Sequence, residues 1–140
     1  MDYDITQLLT TAFDGKQEAL EFIKLYSAYA NAVDDMIDEN FTRDDVEKLS
    51  RLASALYTSR YWITHAASLY LLERVIHCNY FTSVEFETSE ISWKKEYAKY
   101  LAQSGLQIVT AVAIIELGEY AARIIARQVI EKTLLKNEAD

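Results

Sequence analysis

The stretch 34–39, Asp-Asp-Met-Ile-Asp-Glu, is the one place in the chain where residue types and spacing suggest chemistry. The apolar residues before it recur at helical spacing, so it occupies the last turns of an amphipathic helix. Asp34 and Asp38 are four residues apart and Asp35 and Asp38 are three apart, so their side chains are neighbours. Helix C-termini carry partial negative charge, and like charges at this spacing repel by about 0.2–0.5 kcal/mol per pair.

Two interpretations of this acidic stretch stay open. In the first, the carboxylates bind a hard divalent cation such as Mg2+, which takes one or two carboxylates and completes its shell with water and phosphate oxygens. In the second, the stretch is a solvated helix end that continues into an acidic turn, where salt screens the repulsion. The chain has no glycine-rich phosphate loop, zinc spacing or nucleotide fingerprint.

Composition predicts an all-α fold. The 140 residues include no proline and only three glycines, and 51% of them are hydrophobic. A β-rich domain needs more turn residues, and a chain of this length suffices for one core. We therefore expect one domain over residues 1–140. It should be a compact bundle of five or six helices with more than about 65% helix, against the usual third.

Helical spacing and end signals place the elements along the chain. Asp14 is the predicted N-terminal cap of the first long helix, and Thr42 is that of the second. Residues 79–89 are ambiguous between strand and helix, because Phe81, Val84 and Phe86 suit a strand while no glycine or proline breaks a helix. The predicted helices are 3–12, 15–39, 42–57, 60–80, 89–105, 106–117 and 119–135.

Net charge is −8, and most of it lies in the first third of the chain. Residues 1–47 carry 12 acidic and 3 basic residues, whereas the remainder has a net charge of +1. The absence of a basic stripe argues against binding of nucleic acid. Ten tyrosines and two tryptophans are more aromatic surface than a small bundle needs, and such residues are enriched at interfaces.

The segment 106–117 is apolar nearly all round, as expected of a helix that is buried on most sides or lies at a subunit interface. We expect a homodimer that uses this helix or its neighbours. The segment is too short to span a bilayer, and the N-terminus lacks the basic start of a signal peptide. A lone cysteine, Cys78, fits a reducing compartment. The sequence therefore predicts a cytoplasmic protein without a membrane partner.

The pattern Asp34-Asp35-x-x-Asp38 resembles the first aspartate-rich motif of class I isoprenoid and terpene synthases. In that family the carboxylates hold Mg2+ against a substrate diphosphate, and a second motif, Asn-x-x-x-Ser-x-x-x-Glu, holds further metal. Asn79, Ser83 and Glu87 have this second spacing. The resemblance implies a metal site formed by both motifs. Because those synthases are much longer, it implies a smaller diphosphate-binding bundle.

A second resemblance covers roughly residues 25–130. The chain places the acidic helix end before Arg60-Tyr61-Trp62, then Tyr80-x-x-Ser83-Val84-x-x-Glu87, then Ala111-Val112-Ala113 and a glycine. This order resembles small uncharacterised helical proteins of phages and prophages. It implies an accessory protein with no assigned activity, which would act in the host cytoplasm if phage-encoded.

Other acidic and nucleophilic residues predict no catalytic site. Glu73 and His77 are four residues apart, whereas di-iron bundles need Glu-x-x-His on two helices. Glu116, in an apolar helix, should pair with an arginine such as Arg123 or one from another helix, because an unpaired buried carboxylate is costly. His65 is expected on a helix surface, and Cys78 is expected as a small core residue.

The leading hypothesis is therefore a phage-type helical accessory protein that binds a protein partner through an acidic, tyrosine-rich surface. The alternative is a Mg2+-dependent enzyme or binder that acts on a diphosphate-containing small molecule, with Arg60 or Arg74 meeting the phosphate. In the alternative, the metal ligands are Asp34, Asp35, Asp38, Asn79, Ser83 and Glu87. No catalytic residue is assigned.

Overall fold

The computed structural model of the chain describes residues 3–37 and 40–139. Helices make up 86% of the described residues, which contain no strand, so the prediction of an all-α bundle is confirmed. The helices are α1 Tyr3–Ala12, α2 Gln17–Ile37, α3 Arg43–Tyr57, α4 Arg60–Glu87, α5 Ser92–Leu101, α6 Leu106–Leu117 and α7 Glu119–Ala139. Six helices result when α5 and α6, which are joined through the helical turn 102–105, are taken as one interrupted helix.

The start of α3 confirms that Thr42 is its cap. The Thr42 side chain accepts a hydrogen bond from the Asp45 backbone N–H at 3.3 Å, and the Asp45 carboxylate accepts one from the Thr42 N–H at 2.7 Å. This reciprocal capping box satisfies two of the backbone donors that a helix start leaves free. Ser59 begins α4 in the same manner, since its side chain accepts from the Trp62 N–H at 3.2 Å.

Two sequence predictions about helix boundaries are corrected. Asp14 does not cap α2, because α2 begins only at Gln17 and Gly15 lies in the left-handed region with a φ of 77°. Gly15 thus belongs to the C-terminal turn of α1, where the Lys16 N–H donates to the Phe13 carbonyl at 2.8 Å. The ambiguous segment after residue 79 is helical, so α4 continues to Glu87.

The apolar helix α6 is the central helix of the monomer. It contacts α2, α4 and α7, and its residues Ile108, Val109, Val112 and Ala113 are buried. Gly118, with a φ of 90° and a ψ of 165°, turns the chain so that α7 packs back along α6. This backbone conformation is essentially confined to glycine. The homodimer stays a prediction.

One segment of the described residues is long and apolar enough to cross a membrane, judged by length and composition alone. It is Ser92–Leu117, in which α5 and α6 are taken together, with a mean hydropathy of 1.4 over its most apolar 18 residues, 28% of them buried. The core helix of a soluble protein meets the same criterion. Four of the twelve residues of α6 are buried, and Ile114 is 48% exposed.

Candidate functional site

A carboxylate lies inside the bundle between α2, α3 and α4. Glu73, in the middle of α4, is only 1% exposed. Its Oε1 accepts a hydrogen bond from the Tyr57 hydroxyl at 2.7 Å and lies 2.6 Å from Nε2 of His77, one turn further along α4. Its Oε2 lies 3.7 Å from the Arg74 guanidinium. The carboxylate is thus buried with partners on both oxygens, as buried charges require.

The protons of this cluster can be assigned from its geometry. Oε1 of Glu73 accepts from two groups, so His77 Nε2 carries a hydrogen that points to the carboxylate. The Tyr29 hydroxyl lies 3.4 Å from both the Tyr57 hydroxyl and His77 Nε2. The Tyr57 hydroxyl is the donor in the contact with Tyr29, so its proton faces both Tyr29 and Glu73, with the shorter contact to Glu73. The chain of contacts therefore fixes the orientation of Tyr29.

The environment keeps Glu73 ionised and the tyrosines protonated. Burial opposes ionisation of Glu73, but the hydrogen bonds from His77 and Tyr57 and the nearby positive charges outweigh it and lower the pKa of the carboxyl. Burial raises the pKa of Tyr57 far above its ordinary value, and the hydrogen bonds to Tyr29 and Glu73 raise it further. Burial also raises the pKa of Tyr26, with the Glu73 charge as the next cause.

A cleft of about 290 Å³ opens beside this cluster, between α2, α4 and the turn that joins α5 to α6. Tyr29 and His77 lie on its wall, so the buried Glu73 stands directly behind it. Its lining residues are Tyr26, Tyr29, Ala30, Asn31, Val33, Asp34, Ile76, His77, Tyr80, Ala102, Gln103 and Gly105. Three tyrosines, one histidine and one carboxylate make the cleft aromatic with a single formal negative charge on its wall.

Asp34 and Tyr80 form a fixed pair in this cleft. The Tyr80 hydroxyl donates to Oδ1 of Asp34 at 2.6 Å, which ties the end of α2 to α4. Burial raises the pKa of Tyr80, as do the hydrogen bond to Asp34 and the charges of Asp34, Glu87 and Asp35. Tyr80 therefore remains a donor at neutral pH and holds the Asp34 carboxylate in place.

The structure places the six proposed metal ligands in different settings. Asp34 and Asp35 are exposed near the end of α2, and Asp38 lies outside the described residues. On α4, Asn79 is half-buried, Glu87 is exposed, and Ser83 is buried. The Ser83 hydroxyl donates to the Tyr80 carbonyl of its own helix at 2.5 Å.

Of these six residues, Asp34 contacts Tyr80 directly, and the charges of Asp34, Glu87 and Asp35 add to burial in raising the pKa of Tyr80. Within residues 3–37 and 40–139, no three His, Cys, Asp or Glu side chains are grouped so that they could hold a metal ion. The Mg2+ site stays a prediction. The two arginines that were considered for phosphate, Arg60 and Arg74, do not line the cleft.

Three other side chains are also now placed. Glu116 forms an ion pair with Lys16 at 3.9 Å, rather than the expected pair with an arginine. The Glu116 carboxylate also contributes, after burial, to a raised pKa of Tyr61, although the Tyr61 hydroxyl has no partner within hydrogen-bond geometry. Cys78 is exposed on α4, so the expectation of a core cysteine is wrong. His65 is half-buried, and its ring packs on Tyr61 at 4.4 Å.

Comparisons with known proteins give no match to a family model, a curated protein or a solved structure.

Sequence reasoning missed the centre of the site. Glu73 and His77 were considered only as metal ligands, although a spacing of four residues on a helix equally permits a direct hydrogen bond. Their partners Tyr29 and Tyr57 come from α2 and α3, and Tyr80 meets Asp34 across two helices. The surplus of tyrosines was the available signal, because two of them, Tyr57 and Tyr80, donate to carboxylates.

Proposed function

We propose that this protein is a non-catalytic helical accessory protein that binds a protein partner through the acidic, tyrosine-rich cleft between α2 and α4. The partner inserts a Lys or Arg side chain. The observation that carries this proposal is the Asp34 carboxylate, held by Tyr80 at 2.6 Å in a cleft whose wall includes Tyr26 and Tyr29. A carboxylate next to aromatic rings can bind an alkylammonium or alkylguanidinium group, by ion pairing and by cation–π attraction.

The surrounding charge favours a cation in the cleft. Asp35 and Glu87 add negative charge close to Tyr80, and ionised Glu73 lies behind the wall formed by Tyr29 and His77. The chain as a whole has a net charge of −8. A field of one sign raises the association rate of an oppositely charged partner, and it does so less at high salt.

The lining favours binding over covalent catalysis. No Ser, Thr, Cys or Lys is found among the described residues that line the cleft. The one histidine, His77, already directs Nε2 at Glu73. Ser, Thr, Cys and Lys are the nucleophiles that a neighbouring base or a lowered pKa activates, and none of the four is among the described residues that line the cleft.

The proposal also includes a phage origin and the host cytoplasm as the place of action. The order of motifs over residues 25–130 supports a phage-type accessory protein that acts in the host cytoplasm. A Lys or Arg side chain on a host or phage protein supplies the cation.

A Mg2+-dependent binder of a diphosphate-containing molecule is the second candidate. The negative charges of Asp34, Glu87 and Asp35, which all raise the pKa of Tyr80, favour it, because carboxylates are ligands of Mg2+. Ser83 does not support it, since its hydroxyl is buried and bonded to its own helix.

A titration with small side-chain analogues tests the first candidate. We expect n-butylguanidinium to shift the NMR signals of Tyr29 and Tyr80 with a Kd on the order of 1 mM, about −4 kcal/mol. Neutral butyramide should leave them unchanged at equal concentration. Asp34→Asn should weaken guanidinium binding at least about fivefold, since it removes a charge-assisted bond. Asp44→Asn, at an exposed acid outside the cleft, is the matched control and should change the Kd less than about twofold.

Two results would overturn the proposal. One is equal shifts with guanidinium and butyramide, which would show that charge plays no part. The other is equal weakening by Asp34→Asn and Asp44→Asn, which would show that only the overall charge of the protein acts.

A further inference from the structure

The outer face of α4 is exposed, although among the described residues Arg74 pairs with Glu73 and the ring of Phe81 contacts those of His77 and Tyr80. Exposed positions recur along it at steps of four and three residues: Arg60, Thr64, Ala67, Leu71, Arg74, Cys78, Phe81 and Glu85. Leu71 is 73% exposed and Phe81 47%, and beside this row Ile63 and Tyr70 are 66% and 60% exposed. This spacing is that of the contact seam between two packed helices.

The apolar part of this face is large for a protein of this size. With about 100 Å² for each of the four large exposed side chains, the apolar area comes to roughly 400 Å², within the range where surface patches are commonly functional. From residue 60 to residue 85 the seam is about 37 Å long, at about 1.5 Å per residue. The apolar side chains supply about half of the roughly 800 Å² per partner of a stable interface, and the flanking polar residues supply the rest.

The charges at the two ends of the seam are reversed relative to the helix dipole. Arg60 is the first residue of α4, and Glu85 and Glu87 lie in its last turn, with no acidic residue in the first turn and no basic residue in the last. Each charge is at the end where the dipole disfavours it. Neither Arg60 nor Glu85 forms an ion pair within the part of the chain that the structure describes. In an antiparallel pair of α4 helices, however, Arg60 of one helix lies at the same end as Glu85 of the other, so the charges are complementary.

We propose that a second copy of this chain covers the seam, with the two α4 helices antiparallel about a two-fold axis between residues 72 and 73. Arg60 of each copy then meets Glu85 of the other, so both reversed charges gain a partner. Ala67 meets Cys78 of the second copy, and two small side chains opposite each other allow the helices to approach closely. Leu71 packs on the aliphatic stem of Arg74 of the second copy.

This interface and the cleft are compatible. The cleft residues Ile76, His77 and Tyr80 are buried or half-buried and face α2, whereas the seam residue Cys78 is exposed. Phe81 lies at the edge between the two surfaces, because its ring contacts those of His77 and Tyr80. No seam residue lines the cleft, so the proposal does not depend on the proposed function.

Oligomeric state and disulfide crosslinking test the orientation. At about 50 μM, light scattering should give twice the mass of the chain, and a monomer would overturn the proposal. Under mild oxidation with copper phenanthroline, Ala67→Cys should form an intermolecular disulfide with Cys78 in high yield. The native chain should not, because an antiparallel pairing puts its two Cys78 residues about 16 Å apart along the helices. A crosslinked native chain would indicate a parallel dimer, and an uncrosslinked Ala67→Cys would exclude this register.

Charge reversal tests the end contacts. Arg60→Glu alone and Glu85→Arg alone should each weaken the dimer about tenfold, because each creates like-charge contacts at both ends. The double variant should return the dissociation constant to within about twofold of the native value. Each substitution also places a charge where the dipole of α4 favours it, so the monomer should not lose stability. A double variant as weak as the single variants would overturn the pairing.

Discussion

Replacing Glu73 by glutamine removes the buried negative charge with almost no change in shape. The glutamine carbonyl can still accept from Tyr57 and His77, but two charge-assisted hydrogen bonds become neutral ones and Arg74 loses its ion pair. Hydrogen bonds to charged groups are worth about 1.5–3 kcal/mol against about 0.5–1.5 for neutral ones. Relief of the carboxylate's desolvation offsets part of that loss. We expect Glu73→Gln to lower the free energy of unfolding by about 2 kcal/mol at pH 7.

The buried charge of Glu73 also determines how the stability difference between the native chain and Glu73→Gln depends on pH. The folded-state pKa of Glu73 is below its ordinary value of 4.5, so its contribution to stability is complete above that pH and is lost as the pH falls through the folded-state pKa. The difference between the native chain and Glu73→Gln should therefore be constant from about pH 5.5 to 7 and should shrink below about pH 4.5.

Urea denaturation at fixed protein concentration measures this difference. Trp62 is a convenient reporter, because it is 8% exposed and its ring packs edge-on against Tyr57 at 5.3 Å. Glu131→Gln is the control, since this exposed carboxylate has only a long surface contact with Arg127 and should change stability by less than about 0.5 kcal/mol. If Glu73→Gln is as stable as the native chain at pH 7, or if the difference persists unchanged at pH 3.5, the ionised buried cluster is refuted.

Three further predictions concern the fold and the acidic helix end. Gly118→Ala should destabilise the protein by about 1–3 kcal/mol, because a side chain is strained at a φ of 90°. Gly105→Ala, at a helical φ of −56°, should stabilise it by about 0.4–1 kcal/mol. Urea denaturation measures both changes. Thr42→Ala should cost about 1 kcal/mol in the same assay because it removes the cap of α3. If Mg2+ binds, it should raise the Tm more than NaCl at equal ionic strength, and Asp35→Asn and Asp38→Asn should abolish the excess. If Mg2+ and NaCl raise the Tm equally, the acidic stretch 34–39 is a solvated turn and not a Mg2+ site.

Features governed by local sequence were predictable. The capping box at Thr42 and the spacing of apolar residues depend on residues within one or two turns, and the structure agrees with both. The start of α2 was misplaced because Asp14 and Gly15 resemble a helix start, whereas Gly15 ends α1 through its positive φ. Cys78 was misplaced because α4 is largely apolar on both faces, so its pattern does not reveal which face is buried.

The candidate site could be predicted only in part. The acidic end of α2 was visible, and Asp34 does line the cleft. The hydrogen bond between Tyr80 and Asp34 joins residues 46 positions apart in the sequence, and that between Tyr57 and Glu73 joins residues 16 positions apart. No periodicity relates such positions, since their approach depends on how the helices pack.

The most direct test of the central claim is to locate a bound cation. Intermolecular NOEs between the methylene protons of n-butylguanidinium and the protein report contacts within about 5 Å. We expect NOEs from n-butylguanidinium to the ring protons of Tyr29 and Tyr80, and we expect Asp34→Asn to abolish these NOEs. NOEs only to residues at the exposed start of α3, around Asp44 and Asp45, would contradict it, because the guanidinium would then follow surface charge and not the cleft.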